Sequence, residues 1–206
     1  MRLIFVRHGD AHGGFHGPIA GPTGCTGLTV LGRNQARLLH DDLEATGRIT
    51  VDHMVTSMIP RAIETAAIIA PALGFDTVEQ DCALCEVHTG DADGVDWADY
   101  PARFGSFDMT AEPDREFAPN GDSWNSFHER VAGVMDRLAV ERPDQTVMAV
   151  CHAGVIAASM RIRFDGVNDP ATARMVPTNT GLTEWEYSTE RQDWTLRRYD
   201  DARHLG

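Results

Sequence analysis

Arg2-Leu3-Ile4-Phe5-Val6-Arg7-His8-Gly9 decides the reading of this chain. Leu3 to Val6 is an unbroken apolar, β-prone run with no polar alternation, the pattern of a strand covered on both faces, and it stops abruptly at Arg-His-Gly. A rigid strand end that hands over to a cation, an imidazole and a glycine is where a buried sheet places functional groups. Downstream, Gly13, Gly14, Gly17, Gly21, Gly24 and Gly27 with Pro18 and Pro22 exclude a regular element until Thr29. Thr29 is then expected to cap a helix to about Thr46, with Leu28, Leu31, Ala36, Leu39 and Leu43 as its apolar stripe.

The alternation continues outward. Val51 to Thr56 reads as a second strand, and Pro60 opens a helix expected to run to Gly74, which places Ser57 and Arg61 at a strand-to-helix crossover. A short strand is expected around Val78. Helical patterning returns from Ser123 through Phe127, Val131, Val134 and Leu138, followed by a strand at Thr146 to Val150, Cys151-His152-Ala153-Gly154, and a helix over Val155 to Arg163. Thr180 to Tyr187 and Trp194 to Tyr199 read as two edge strands. The expectation is a three-layer α/β/α sandwich with a mostly parallel central sheet, one domain over residues 1–206, and a small lid insertion at about 87–119, where Gly, Pro and weak periodicity break the pattern.

Composition narrows the function. The 206 residues carry a formal charge of −13, and all 18 basic residues are arginine. Such an acid excess argues against nucleic acid, whose binding draws on many cationic contacts, but leaves room for a small anion held by a few gathered arginines. No apolar run reaches the roughly 18 residues of a membrane span, and Arg7 and His8 interrupt the N-terminal apolar stretch before a signal core forms. The protein is therefore expected to be soluble and cytoplasmic. Cys25, Cys82, Cys85 and Cys151 are then expected as ordinary thiols; Cys82-x-x-Cys85 lacks a second pair at zinc spacing. His12, His16 and His88 match no standard ligand spacing, so no metal is expected, and His12 is read as a loop contact to substrate.

A neutral imidazole at a strand end can attack phosphorus if its second nitrogen is held by a hydrogen bond. Phosphoryl transfer further requires cationic donors around the phosphate oxygens, which Arg7, Arg61 and His152 can supply. Gly9 is expected to leave room for close approach of the phosphate.

In order along nearly the whole chain, Arg7-His8-Gly9, Leu28-Thr29 to Gln35-Ala36, Ser57-x-x-x-Arg61-Ala62-x-Glu64-Thr65-Ala66, Leu84-x-Glu86, Pro119-x-Gly121-Asp122-Ser123, Val150-Cys151-His152-Ala153-Gly154 and Asp201-x-x-His204-Leu205 resemble the histidine phosphatase superfamily in its phosphoglycerate mutase-like branch. The resemblance implies a metal-independent, cofactor-free phosphomonoester hydrolase of histidine acid phosphatase type, acting on a small phosphorylated metabolite. His8 would carry a phosphohistidine and Glu86 would act as acid and then base, with Asp10 as a substitute acid. Where family members carry an Asn after the signature, this chain has Gly14. Asp91, Asp93, Asp96, Asp99 and Asp108, set against Arg103 and Arg115, disfavour a second anionic group and hence mutase action, while Trp97, Tyr100, Phe104 and Phe107 form either an apolar wall for the leaving group or a small core of their own. A phosphoglycerate mutase and a non-catalytic phosphate-binding module are the alternatives, and a homodimer is compatible with either.

Overall fold

Strand β1 (Arg2–Arg7) is buried from Leu3 to Val6 and separates two cores. Leu3 and Phe5 face one cluster with Phe127, Val131, Val134, Leu138, Val155 and Ile156. Ile4 and Val6 face the other, with Ala36, Leu39, Leu43, Ala62, Ala66 and Ile69. Because successive strand side chains point to opposite faces, one continuous apolar run fills both cores at once. The structure, a computed structural model, describes residues 1–13, 17–106, 108–109, 111–164 and 175–206; Gly14, His16 and Phe107 lie outside them.

With β2 (His53–Thr56), β3 (Glu79–Gln80), β4 (Thr146–Cys151), β5 (Leu182–Ser188) and β6 (Asp193–Asp201), β1 forms one sheet in the order β3-β2-β4-β1-β5-β6. The first four in that order are parallel; β5 runs antiparallel to β1 and β6 antiparallel to β5. Helices α1 (Val30–Thr46) and α2 (Pro60–Ile69) cover one face, and α4 (Trp124–Glu141) and α5 (Ala153–Arg163) the other. These are the expected three layers. Among the described residues no helix is long and apolar enough to cross a membrane.

Local chemistry sets the helix ends. The Thr29 hydroxyl accepts the Gly32 amide at 3.0 Å at the start of α1, and Gly47, left-handed at φ 55°, closes it. The second helix stops short of Gly74: α geometry ends at Ile69 and a 3-10 turn spans Ala70–Leu73, since Pro71 has no amide to continue the ladder. A capping box between Ser123 and Ser126 starts α4. The expectation of two edge strands needs correction, because of the two only β6 is an edge, and β5 lies inside the sheet between β1 and β6. Its polar Glu184 is buried but answered by Arg2 at 2.8 Å and Arg198 at 3.6 Å, so alternation did not report exposure.

Residues 87–119 hold a 3-10 turn (Gly90–Ala92) and the short helix α3 (Tyr100–Phe104). Tyr100, Ala92 and Ala118 form a small core with Ile19, against which Trp97, Phe104 and Phe117 pack. The Gly-rich loop is tied to this segment: the Asp93 carboxylate accepts the Gly21, Thr23 and Gly24 amides at 2.7 to 2.9 Å, and Ile19 exchanges backbone bonds with Val95 and Gly94. Asp91 accepts from Asn120, and Asp96 from the Ala98 amide. Two of the five lid acids, Asp93 and Asp96, are therefore occupied in holding backbone.

Candidate active site

Register brings the two histidines together. Val6 and Thr56 both align with Val150, so His8 follows β1 and His152 follows β4 at the same level, on neighbouring strands. Their ring centroids lie 5.1 Å apart, close to the spacing of adjacent strands. Strand ends in a parallel sheet converge on a crevice beyond their carboxyl termini, and a cleft of about 500 Å³ opens there. Arg7, His8, Arg61, Glu86, Asp10, His12 and Asn179 line it, with Ile19, Trp97, Met109 and Phe117 as its apolar part.

Within this cleft His8 Nδ1 lies 2.6 Å from the Gly9 carbonyl, a contact only an N–H can make, which leaves the lone pair of the neutral ring on Nε2. That Nε2 accepts Arg61 Nε–H at 3.0 Å, consistent with the same tautomer. Burial above all, then Arg61 and Arg7, hold the pKa of His8 well below the ordinary 6.5. His152 is held low likewise, by burial and then by Arg61 and His8. Both imidazoles are thus neutral at neutral pH. Ser57 Oγ meets His152 Nε2 at 2.8 Å, while His152 Nδ1 and Arg7 Nε are buried without a hydrogen-bond partner among the described residues.

One helix turn explains the Ser57-x-x-x-Arg61-x-x-Glu64-Thr65 block. Residues four apart share a helix face, so Arg61 reaches His8 while Thr65 accepts the Gly9 amide at 3.0 Å and donates to the Arg61 carbonyl. Glu64 accepts the Leu28 amide and pairs with Arg33, fastening the end of the Gly-rich loop. Arg61 also donates to the Ala20 carbonyl at 2.6 Å, and Arg7 to that of Pro177 at 2.5 Å. Gly9 answers to packing and not to ligand access: a Cβ there would come within 2.5 Å of the Gly32 carbonyl oxygen on α1.

The two candidate acids part company. Glu86 Oε2 accepts the Gly154 amide at 2.9 Å at the start of α5, and Oε1 takes the Val87 amide at 3.3 Å. Asp10 also borders the cleft, but its carboxylate accepts the Thr29 hydroxyl at 2.6 Å and so serves the cap of α1. His12 is exposed on the rim. Tyr100 and Phe104 belong to the small core, whereas Trp97 and Phe117 reach the cleft.

Two further contributors escaped the sequence reading. Asn179 donates to the His8 carbonyl at 2.9 Å and sits in the wall; the neighbouring Thr178 is held by Asp200, and Thr180 by His204. Arg130 of α4 donates to the carbonyls of Ala83, Cys85 and Glu86 at 2.8 to 3.1 Å and pairs with Asp122, fixing the segment that carries Glu86. An isolated Asn or a mid-helix Arg has no local signature; only Asp122, within a family-like block, hinted at a tie. Finally, His88 does not join His12: its ring faces Cys82 and Cys85.

Such a fold and cluster define a class, α/β proteins that pair two strand-end histidines, the first of them on a cleft wall with two arginines. The chain belongs to the histidine phosphatase superfamily (branch 1), whose family model matches residues 3–202. It is 26% identical over 207 residues to phosphoglycerate mutase-like protein 4 of Arabidopsis thaliana, covering 98% of this chain and 86% of that protein. It is 30% identical over 185 residues to a glucosyl-3-phosphoglycerate phosphatase of Mycobacterium tuberculosis, covering 84% and 81%. A solved mycobacterial glucosyl-3-phosphoglycerate phosphatase in complex with VO3 superimposes with a TM-score of 0.74 at 26% identity, over 97% of this chain and 98% of that one.

Proposed function

We propose that the protein is a phosphomonoester hydrolase that works through a phosphohistidine on His8. The observation that carries this reading is the clamped ring of His8: Nδ1–H is committed to Gly9, so the only lone pair is on Nε2, in a neutral imidazole beside Arg61. In the first step Nε2 attacks phosphorus, the bond from phosphorus to the leaving oxygen breaks, and the Glu86 carboxyl donates its proton to that oxygen. In the second step water attacks the phosphohistidine, Glu86 takes the water proton, and the N–P bond breaks to release phosphate and restore neutral His8. Arg7, Arg61 and His152 bind the phosphoryl oxygens. The orphaned Arg7 Nε and His152 Nδ1 are the groups an incoming phosphate would satisfy, and Arg61 redirects its N–H from His8 to the phosphate. No step in this scheme calls on a metal ion.

The substrate we infer is a small metabolite with a single phosphate and an apolar face on its leaving group, and residues 87–119 act as the lid of one domain. Among the described residues Arg7 and Arg61 are the arginines in the cleft wall, sufficient for one phosphate, while Ile19, Met109 and Phe117 make much of the remaining wall apolar. That pairing favours hydrolysis over a mutase, which must hold two anionic groups. The test is phosphate release from an aryl phosphate and from 3-phosphoglycerate, with and without a bisphosphate primer, by the wild type and His8→Ala. Release by the wild type, none by His8→Ala, and an acid-labile, alkali-stable phosphoenzyme are expected. Undiminished turnover in His8→Ala overturns the role of His8, and primer-dependent isomerisation without release overturns hydrolysis.

A further inference from the structure

Beside the acid-bearing segment lies a second cluster that the proposed reaction does not use. Cys82 begins a 3-10 turn (Cys82–Leu84) that the Asp81 carboxylate caps through the Ala83 amide at 2.8 Å, and the Cys85 amide closes it on the Cys82 carbonyl at 3.0 Å. The turn brings both thiols to the same side, and the chain returns His88 to them. We propose that Cys82 Sγ, Cys85 Sγ and His88 Nε2 form a binding site for one thiophilic divalent cation, with Zn2+ the best match and water as the fourth ligand.

Geometry and ligand chemistry both support this. The three ligand atoms all lie within 4.8 Å of one another, and Cys82 Sγ is 3.3 Å from His88 Nε2. A tetrahedral zinc ion with bonds of about 2.3 Å to sulfur and about 2.0 Å to nitrogen requires ligand atoms roughly 3.5 Å apart, so the site needs little adjustment. The other ring nitrogen is already engaged: His88 Nδ1 lies 3.4 Å from Asp122 Oδ1, and Asp122 in turn accepts the His88 amide at 2.9 Å and pairs with Arg130. A carboxylate on the far nitrogen is the arrangement that orients a metal-binding imidazole and presents its Nε2 lone pair. Ser57 Oγ lies 3.4 Å from Cys85 Sγ, so a polar group borders the buried ligand sulfur. Two thiolates and an imidazole select soft or borderline cations and discriminate against Mg2+ and Ca2+. Cys82 is exposed and Cys85 buried, so an ion has a route in and a solvent-facing fourth position.

Cys85 and His88 bracket Glu86. A bound ion would therefore clamp the backbone on both sides of the proposed acid without contacting the reacting phosphate. The site stands independently of the hydrolase reading, and its test reads binding, not turnover. The protein, reduced and freed of metal by chelator, is titrated with Zn2+ against a chromophoric chelator and with Co2+ by absorption. The expected result is one equivalent of Zn2+, a thiolate-to-cobalt charge-transfer band, and a melting temperature raised by the ion, as follows when a ligand binds only the folded state. In Cys82→Ser, an exposed change that leaves the fold intact by circular dichroism, affinity should fall by more than about 100-fold, beyond the loss typical of an outer partner alone, and the charge-transfer band should weaken. His88→Gln should likewise weaken binding. Absence of stoichiometric Zn2+ binding at micromolar concentrations, or an affinity unchanged in Cys82→Ser, would overturn the proposal.

Discussion

Gly154→Ala is the sharpest probe of the proposed acid. Gly154 is the second residue of α5, and its amide donates to Glu86 Oε2 at 2.9 Å. A Cβ at this position would lie 2.0 Å from Glu86 Oε1, where ordinary contact begins at 3.4 Å, so the carboxyl group must retreat by at least about 1.4 Å. Misplacement on that scale costs about 100-fold in rate, within the roughly 10²- to 10⁴-fold that a positioned general acid contributes. The fold should not suffer. Alanine in a helix is favoured over glycine by up to about 1 kcal/mol, and Glu86, only partly buried, can swing toward solvent. Steady-state kinetics with an alkyl phosphate and with an activated aryl phosphate separate the effects, since only the poor alkoxide leaving group depends strongly on protonation. The expected result is a kcat lower by about 100-fold on the alkyl ester, a smaller loss on the aryl ester, little change in KM, and a melting temperature equal to or above that of the wild type. Full activity on the alkyl ester, or equal losses on both esters, would refute the placement of Glu86 as acid.

Two further outcomes follow from the same contacts. His8 and His152 have folded-state pKa values well below 6.5, so below about pH 6.5 the unfolded chain binds protons that the folded chain refuses; stability is complete above that range and declines as pH falls, by up to about 1.4 kcal/mol per pH unit for each histidine. Urea unfolding at pH 7.5 and pH 5.5 should show the decline, and His8→Asn should flatten it; a slope unchanged in that variant would mean that His8 is not buried neutral. Arg130→Leu should strand three backbone carbonyls and Asp122, costing about 3 kcal/mol in chemical denaturation and lowering kcat through Glu86 while His8 can still be phosphorylated by an activated ester. Wild-type stability in that variant would remove Arg130 from its positioning role.

Much of this molecule was legible in its sequence because the relevant forces are local. The apolar run Leu3 to Val6, the Thr29 cap and Pro60 report backbone propensity and burial within a few residues; β1 and α1 appeared where expected, and α2 began at Pro60 but ended at Ile69. The ordered blocks around His8, Arg61, Glu86 and His152 marked strand ends and helix starts, and the fold brings all four blocks to the same end of the sheet. The interior position of β5 was not legible locally: its buried Glu184 is answered by distant partners, Arg2 and Arg198, that no short stretch reveals. Among the lid acids, Asp93 shows the same limit: formal charge does not say whether a carboxylate faces solvent or a row of backbone amides.

By itself, then, the sequence determined the layers, the strand ends and the residue types at the candidate site. Tertiary structure alone decided which group touches which. The level pairing of His8 with His152, the engagement of Asp10 at the α1 cap and of Glu86 at the Gly154 amide, the reach of Asn179 and Arg130, and the meeting of His88 with Cys82 and Cys85 all depend on strand register and on helix crossings between segments far apart in the chain. Local propensity acts over one or two turns of backbone. A contact across the fold exists only after packing has fixed distance and orientation, and no short stretch of residues encodes that.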